Sequence, residues 1–103
     1  MKQYDVYRNP DPASAKRRPY LAVLQSDFLT VIDTVVVAPL AASTRVKPVA
    51  RMMPVVAVAD VEHYLMTQEL AAISRSVLKK PVGSIAAWRS EIVAALDLIF
   101  LGF

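Results

Sequence analysis

The sequence predicts an α+β or small-barrel domain, mainly β, in which a series of short strands is followed by one C-terminal helix. Three observations lead to this prediction. Short segments that are β-branched or alternate in polarity fill most of the chain, and loops containing proline separate several of them. From Ile85 onward the apolar residues recur every three or four positions, as they do in a helix. Strands that precede a helix, instead of alternating with helices, argue against a parallel α/β fold.

The strands are predicted from alternation and from runs of β-branched residues. Residues 9–18, which hold two prolines, and residues 42–51 indicate exposed loops. Pro39 is expected to end the third strand because proline cannot donate a ladder hydrogen bond, and Asp60 is expected to lie in a hairpin turn. The predicted strands are, in order, Gln3 to Arg8, Tyr20 to Gln25, Val31 to Val37, Pro54 to Ala59, Glu62 to Thr67 and Ile73 to Val77.

The C-terminal helix is predicted from Ile85, with Ser84 as its N-cap and Gly102 just past its C-cap. One apolar stripe should lie on the sheet, and a second, smaller-residue stripe should face away and allow close approach of another body. The sheet-facing stripe is Ile85, Trp88, Ile92, Leu96, Ile99 and Phe103. The other stripe is Ser90, Ala94, Asp97 and Leu101.

Composition predicts a single domain over residues 1–103 that associates with itself. The 55% hydrophobic content and the mean hydropathy of +0.39 are high for so short a chain, and a homodimer would cover the excess apolar surface. The net charge of +3 is only mildly basic. The chain has no cysteine, no signal-peptide pattern and no apolar run long enough for a membrane span, so we expect a cytoplasmic protein without membrane contact.

Few residues in the sequence are suited to catalysis or to binding a metal or phosphate. His63 is the only histidine, the carboxylates are scattered, and two glycines cannot form a phosphate-binding loop. His63 is expected to be an ordinary strand residue, and the basic clusters at 16–18 and 79–80 are expected to be solvated loops. We therefore predict a binding protein and not an enzyme, with no catalytic residue, metal or cofactor.

The chain finishes on an apolar helix and a Gly102-Phe103 pair, without a polar extension. Chain ends fray unless something holds them. Two explanations stay open at this point: the Phe103 ring is docked into the protein's own core, or it is kept for a partner.

Several short strings, in fixed order along nearly the whole chain, resemble the CcdB toxins of bacterial toxin–antitoxin modules. No single string is specific, but the ordered set is. The strings are Leu24-Gln25-Ser26-Asp27, Ala38-Pro39-Leu40-Ala41, Pro54-Val55-Val56 with Asp60, Leu65-Met66-Thr67-Gln68-Glu69-Leu70-Ala71 and Leu98-Ile99-Phe100-Leu101-Gly102-Phe103.

The resemblance implies an SH3-like barrel with a small additional antiparallel sheet and a C-terminal α-helix, assembled as a homodimer. It further implies a toxin that binds the DNA gyrase A subunit and traps the cleaved DNA complex, a CcdA-like antitoxin that releases gyrase, and repression of the operon through operator DNA bound by the toxin–antitoxin complex. The gyrase-binding residues implied by the match are Leu101, Gly102, Phe103, Asp97, Ala94, Ser90, Phe28 and Leu29.

Two alternatives remain. The poisoning members of the family carry tryptophan where this chain has Leu101, and Val93 and Ala94 replace hydrophilic groups, so the protein could be a non-toxic or retargeted homologue that binds only an antitoxin. The second alternative is an endoribonuclease, because mRNA-cleaving toxins of the MazF and Kid type share the barrel. Its candidate residues are Arg75, His63 and a few acidic residues.

Overall fold

Seven strands, paired only in antiparallel fashion, and one C-terminal helix form the structure, a computed structural model that describes residues 1–103. Single turns of 3-10 helix occupy Asp27–Leu29, Thr67–Glu69, Arg75–Val77 and Ala86–Trp88. The regular elements are β1 (Asp5–Arg8), β2 (Tyr20–Val23), β3 (Thr34–Ala42), β4 (Val55–Val58), β5 (Val61–Leu65), β6 (Ala71–Ser74), β7 (Gly83–Ser84) and α1 (Arg89–Leu101).

The sheet has the order β4-β5-β3-β2-β1-β7, with β6 added on β3. It curls into a nearly closed barrel, and β4, β5 and the C-terminal part of β3 form the smaller sheet at one side. The predicted class, a mainly β domain of the SH3-like barrel type with one C-terminal helix, is confirmed.

The third strand differs from its prediction at both ends. It begins at Thr34, because Val31 and Ile32 lie in the preceding turn, and it continues through Pro39 to Ala42. The missing N–H of Pro39 is tolerated because β3 changes partner there, from β6 at Val37 to β5 at Leu40. The carbonyl of Pro39 still accepts a hydrogen bond, from the amide of Met66 at 2.9 Å.

The predicted hairpin around Asp60 is confirmed as β4 and β5. Its two central residues, Ala59 and Asp60, have φ of 51° and 63°, the left-handed pair that a type I′ hairpin turn requires. The last strand is shorter and earlier than predicted: β6 ends at Ser74, whose side chain caps the turn that follows. β7 was not predicted, since two residues give no periodic pattern.

The two faces of β1, β2 and β3 cover different apolar clusters. This explains why the residues that point to one face of these strands and those that point to the other are both apolar. One cluster lies under the helix and includes Val6, Leu40 and Leu65; the other includes Tyr7, Val35 and Val37. A third, smaller cluster formed by Ala41, Met53 and Met66 lies beside the loop between β3 and β4.

The helix begins later than predicted. Ser84 is not its N-cap, because α1 starts at Arg89 and the residue at its N-cap is Trp88. The Ser84 hydroxyl instead accepts from the amide of Ala86 at 3.2 Å, at the start of the 3-10 turn that precedes α1. Ile92 and Ala95 are fully buried against the barrel, as the periodicity predicts for Ile92. No helix in the structure has the length and apolar character that crossing a bilayer requires.

Candidate functional site

The outward face of α1 carries three of the predicted site residues together. Ser90, Ala94 and Asp97 are all exposed, and Leu101 continues the same face with 62% of its surface exposed. Residues at these spacings lie above one another on a helix. The predicted second stripe therefore exists as an accessible surface, on which two small side chains, one carboxylate and one leucine lie in a row.

The final turn of the helix leaves three large apolar side chains in solvent. Gly102 adopts φ of 83°, and its amide donates to the carbonyl of Leu98 at 3.0 Å, which closes the helix. This left-handed residue takes Phe103 off the helical stripe that was predicted to lie on the sheet, and the ring is 79% exposed. That part of the prediction is wrong. Because the Phe103 ring lies in solvent, the explanation that it docks into the core of its own chain is excluded. Phe100 is exposed as well.

Phe28 and Leu29 lie on a separate turn between β2 and β3. Ser26 caps this turn, and the carboxylate of Asp27 accepts from the amide of Gln3 at 2.7 Å, which ties the turn to the N-terminal residues. Phe28 is 94% exposed. Ser90, Ala94, Asp97 and Leu101 therefore share one helix face, whereas Phe28 and Leu29 lie on a turn that no hydrogen bond joins to α1.

Arg75 holds that turn in place. Its Nε donates to the carbonyl of Ile32 at 2.6 Å, its Nη2 donates to the carbonyl of Leu29 at 2.9 Å, and its own amide donates to Asp33. These three bonds reach across more than forty residues of sequence. The guanidinium is thus engaged with the main chain, and Arg75 is a positioning residue in this structure.

His63 is a satisfied core residue, as expected. Its side chain is buried, its Nδ1 lies 2.8 Å from the carbonyl of Val61, and its ring meets Tyr20 edge-on at 5.4 Å between centroids. The two residues named at the sequence level for ribonuclease chemistry, Arg75 and His63, therefore both serve the fold.

A polar cleft of about 880 Å³, absent from the sequence-based predictions, lies between the loop that joins β1 to β2 and the strand β6. Its floor is the apolar sheet face of Leu21, Val37 and Ile73. Its rim carries both signs of charge. The charged residues at the rim are Asp11, Arg17, Arg18 and Glu69.

A two-pronged ion pair closes one side of the cleft. Arg18 donates from Nε and Nη2 to the two carboxylate oxygens of Glu69, both at 2.8 Å. These hydrogen bonds lower the pKa of Glu69 and raise the pKa of Arg18, and the charge of nearby Arg17 lowers the pKa of Glu69 further. The only sequence signal for this pair was the Lys-Arg-Arg cluster, because its carboxylate lies 51 residues away.

The antiparallel, nearly closed barrel with one C-terminal helix is of the SH3-like type. The chain belongs to the CcdB family: the family model for the CcdB protein matches residues 3–102. No curated protein matches the sequence at a significant level.

Solved structures that share the fold include two from mycobacterial species. One is an endoribonuclease in complex with its cognate antitoxin from a mycobacterial species, with a TM-score of 0.78 and 16% identity, covering 100% of this chain and 96% of that chain. The other is an endoribonuclease from a mycobacterial species, with a TM-score of 0.71 and 17% identity, covering 94% and 88% of the two chains. At these identities the likeness is one of fold.

The prediction that this protein is not an enzyme is wrong in the light of these neighbours. It rested on the absence of familiar catalytic spacings in the sequence, and the two structural neighbours described above are named endoribonucleases. A barrel can bring charged groups together from distant positions, as the Arg18–Glu69 pair illustrates, without leaving a motif in the sequence.

Arg75→Ala will lower the free energy of unfolding by about 1–2 kcal/mol, because the carbonyls of Leu29 and Ile32 lose charged donors. Urea unfolding measures the change. Arg45→Ala is the matched control, since Arg45 is exposed and makes no side-chain hydrogen bond. Equal stability of the two variants would show that the Arg75 contacts contribute nothing.

Glu69→Gln will reduce stability at neutral pH by no more than about 1 kcal/mol, as expected of a partly exposed pair. The folded pKa of Glu69 is lowered, so the pair stabilises the protein above the carboxyl group's ordinary pKa, and this contribution is lost as the pH falls through the lowered value. The difference from wild type in urea unfolding should therefore vanish in strong acid. Glu62→Gln, on the exposed β4–β5 hairpin, should show no such trend. A difference that grew on acidification would contradict the assignment.

Proposed function

We propose that this protein is the toxin of a toxin–antitoxin module and that, as a homodimer, it binds the DNA gyrase A subunit through the C-terminal end of α1 and traps the cleaved DNA complex. The observation that supports the proposal is the exposure of Phe100 and Leu101 on the last helical turn and of Phe103 just beyond it. A CcdA-like antitoxin would cover this surface and release gyrase, and operator DNA would be bound only by the toxin–antitoxin complex.

The physical basis of such contact is apolar. Large side chains that protrude from a rigid helix end can enter a pocket on a partner, and burying one aliphatic or aromatic side chain contributes about 1.5–3 kcal/mol. The side chains of Ser90 and Ala94 on the neighbouring helix face are short, so the backbone of a partner can approach the helix closely. Asp97 supplies one charge on that face for orientation.

Leu101 determines how strong the contact can be. A leucine buries aliphatic surface but offers no π face to a cation, and leucine is under-represented among the residues that dominate interfaces. Restoring a tryptophan would add a cation–π contribution of roughly 0.5–2 kcal/mol where the partner presents an arginine. A substitution at position 101 can therefore distinguish gyrase binding in the manner of the family from the retargeted alternative.

Binding to immobilised gyrase A subunit tests the proposal. Leu101→Ala should weaken binding about tenfold or more, deletion of Gly102 and Phe103 should weaken it further, and Leu101→Trp should tighten it roughly two- to thirty-fold. Val61→Ala, which changes a half-exposed valine on the β4–β5 hairpin, should have no effect. Purified gyrase with supercoiled DNA should accumulate cleaved DNA in the presence of the wild-type protein.

Wild-type protein that is folded yet does not bind gyrase would refute this target. If Leu101→Trp then conferred binding, the retargeted homologue would be the better description.

A second candidate function, RNA cleavage, is favoured by the polar cleft. Both carboxylate oxygens of Glu69 accept hydrogen bonds from Arg18 in the structure. When Arg18, together with Arg17, turns to the phosphate under attack, the ionised Glu69 would be free to accept the proton of a ribose 2′-hydroxyl. The 2′-oxygen would form the new bond to phosphorus as the bond to the 5′-oxygen breaks, leaving a cyclic phosphate, and water would protonate the departing 5′-oxygen. The two endoribonucleases of the same fold support this candidate.

Incubation of the purified protein with single-stranded RNA separates the two functions. If the cleft is catalytic, Glu69→Gln should slow cleavage about 10²- to 10⁴-fold, the range for loss of a general base. Glu62→Gln, on the exposed hairpin, should cleave at the wild-type rate. RNA that stays intact with wild-type protein rules the candidate out.

A further inference from the structure

The loop between β3 and β4, residues 43–54, carries the whole net charge of the protein. From Asp33 to Asp60 the intervening sequence contains three basic residues and no acidic one. The other nine basic residues of the chain are equal in number to its nine acidic residues, so the formal net charge of +3 belongs to this loop. The three basic residues are Arg45, Lys47 and Arg51.

None of these three cations is neutralised within the folded chain. All three are exposed, and none makes an ion pair, since the single ion pair of the structure joins Arg18 to Glu69. Glu62 lies at the base of the loop, where its carbonyl accepts from the amide of Ser43 at 3.2 Å, but its carboxylate forms no ion pair with the loop. An anionic partner would therefore bind these cations without breaking an existing contact.

The inner side of the loop is fixed to the protein. Val46 and Met52 pack on the third apolar cluster described above, beside β3 and β5. The hydroxyl of Thr67 donates to the carbonyl of Met52. The amide of Met53 donates to the carbonyl of Val49 at 3.1 Å and closes a turn around Arg51. One side of the loop therefore packs on the barrel, while the cations are presented to solvent.

Both ends of the loop are tied to β5. Ala42 pairs with His63 and Val55 pairs with Tyr64, on opposite edges of that strand. Two strand spacings, about 10 Å, separate the ends, as in a compact loop that closes on itself. The three cations are therefore confined to one region and can act on the same partner.

Arg51 has a backbone conformation that a residue with a side chain rarely adopts. Its φ is 69°, in the left-handed region that glycine enters without steric cost. Its guanidinium has no protein partner that would explain an arginine at this position. Residues held in such conformations are concentrated at binding and catalytic sites. A ligand that requires positive charge here would account for the arginine.

The chemistry of the loop suits phosphate groups on a nucleic acid better than an acidic peptide. Phosphate contacts are made by arginine and lysine without a shaped pocket, and duplex DNA offers one negative charge about every 1.7 Å along its axis. A peptide is commonly held by a groove or by side-chain pockets as well. No residue of the loop lines either of the two main clefts.

We propose that the loop between β3 and β4 binds the phosphate backbone of duplex DNA through Arg45, Lys47 and Arg51, independently of base sequence. The inference goes beyond the proposed function, because this loop is not part of the helix end proposed to bind gyrase. Phosphate contacts carry no sequence information, so the choice of operator stays with the antitoxin. The toxin adds affinity wherever a partner brings a duplex against it.

Fluorescence anisotropy with labelled duplex DNA of two unrelated sequences tests the loop. At about 50 mM salt the wild type should bind both with a Kd on the order of 10⁻⁴ M or tighter. The logarithm of the affinity should fall against the logarithm of the salt concentration with a slope of about −2.7 for each loop engaged, about 0.9 for each phosphate contact. The triple variant Arg45→Gln/Lys47→Gln/Arg51→Gln should bind at least tenfold more weakly and should lose this slope.

The matched control removes exposed cations from another loop. Lys79→Gln/Lys80→Gln should bind DNA within about twofold of wild type, although it loses two charges. This control separates a defined contact from the general effect of net charge.

Two substitutions at position 51 separate charge from conformation. Glycine relieves the positive φ, so Arg51→Gly should be at least as stable as wild type in urea unfolding. It should nevertheless bind DNA several-fold more weakly, with the salt slope reduced by about 0.9. Arg51→Lys keeps the charge and should keep the wild-type slope.

The proposal is overturned if wild type does not bind DNA, if the triple variant binds as wild type does, or if the Lys79→Gln/Lys80→Gln control weakens binding as strongly as the triple variant. Polyglutamate that competes as well as DNA at equal charge would assign the loop to an acidic peptide, and tighter loop-dependent binding of single-stranded RNA would assign it to RNA. Binding to the gyrase A subunit is measured separately, without DNA. Its failure, with DNA binding intact, would refute the proposed function and leave the role of the loop standing.

Discussion

The change of partner along β3 is the constraint on which the rest of the structure depends. Through Val37 this strand pairs with β6 on one side, and from Leu40 it pairs with β5, while β2 pairs with the opposite side from Val37 to Leu40. Pro39 lies at the change, where it has no ladder bond to donate, and its carbonyl still binds Met66. One strand therefore organises the barrel and the smaller sheet.

This division places the functional surfaces. The face of β3 that carries Leu40 covers the core on which Ile92 of α1 packs, so the helix end projects from the barrel with its last turn uncovered. The face that carries Val37 forms the cleft floor, reached by the loop from β1. The apolar helix end and the charged cleft thus belong to opposite faces of the same strand and can serve different partners.

Much of the fold could be predicted from residue pattern, because alternation and helical period depend on local burial. The hairpin at Asp60, the two exposed loops and the existence of a C-terminal helix follow from such patterns, although the helix starts at Arg89 and not at Ile85. The predicted end of β3 at Pro39 was wrong because the effect of a proline depends on which strand lies beside it. The predicted start at Val31 was wrong because a β-branched residue can be exposed in a turn when a distant side chain, here Arg75, holds the backbone. The cleft could not be predicted, since Arg18 and Glu69 meet only after the barrel closes.

The turn fixed by Arg75 has a consequence for recognition. Its main chain is ordered by bonds to Leu29 and Ile32 within the folded protein, so Phe28 and Val31 are displayed on a scaffold that has already lost its backbone freedom. A molecule that seats against these side chains meets a preorganised surface, and the conformational entropy normally surrendered by a flexible loop at association has been spent during folding. Affinity there can come from very few side chains.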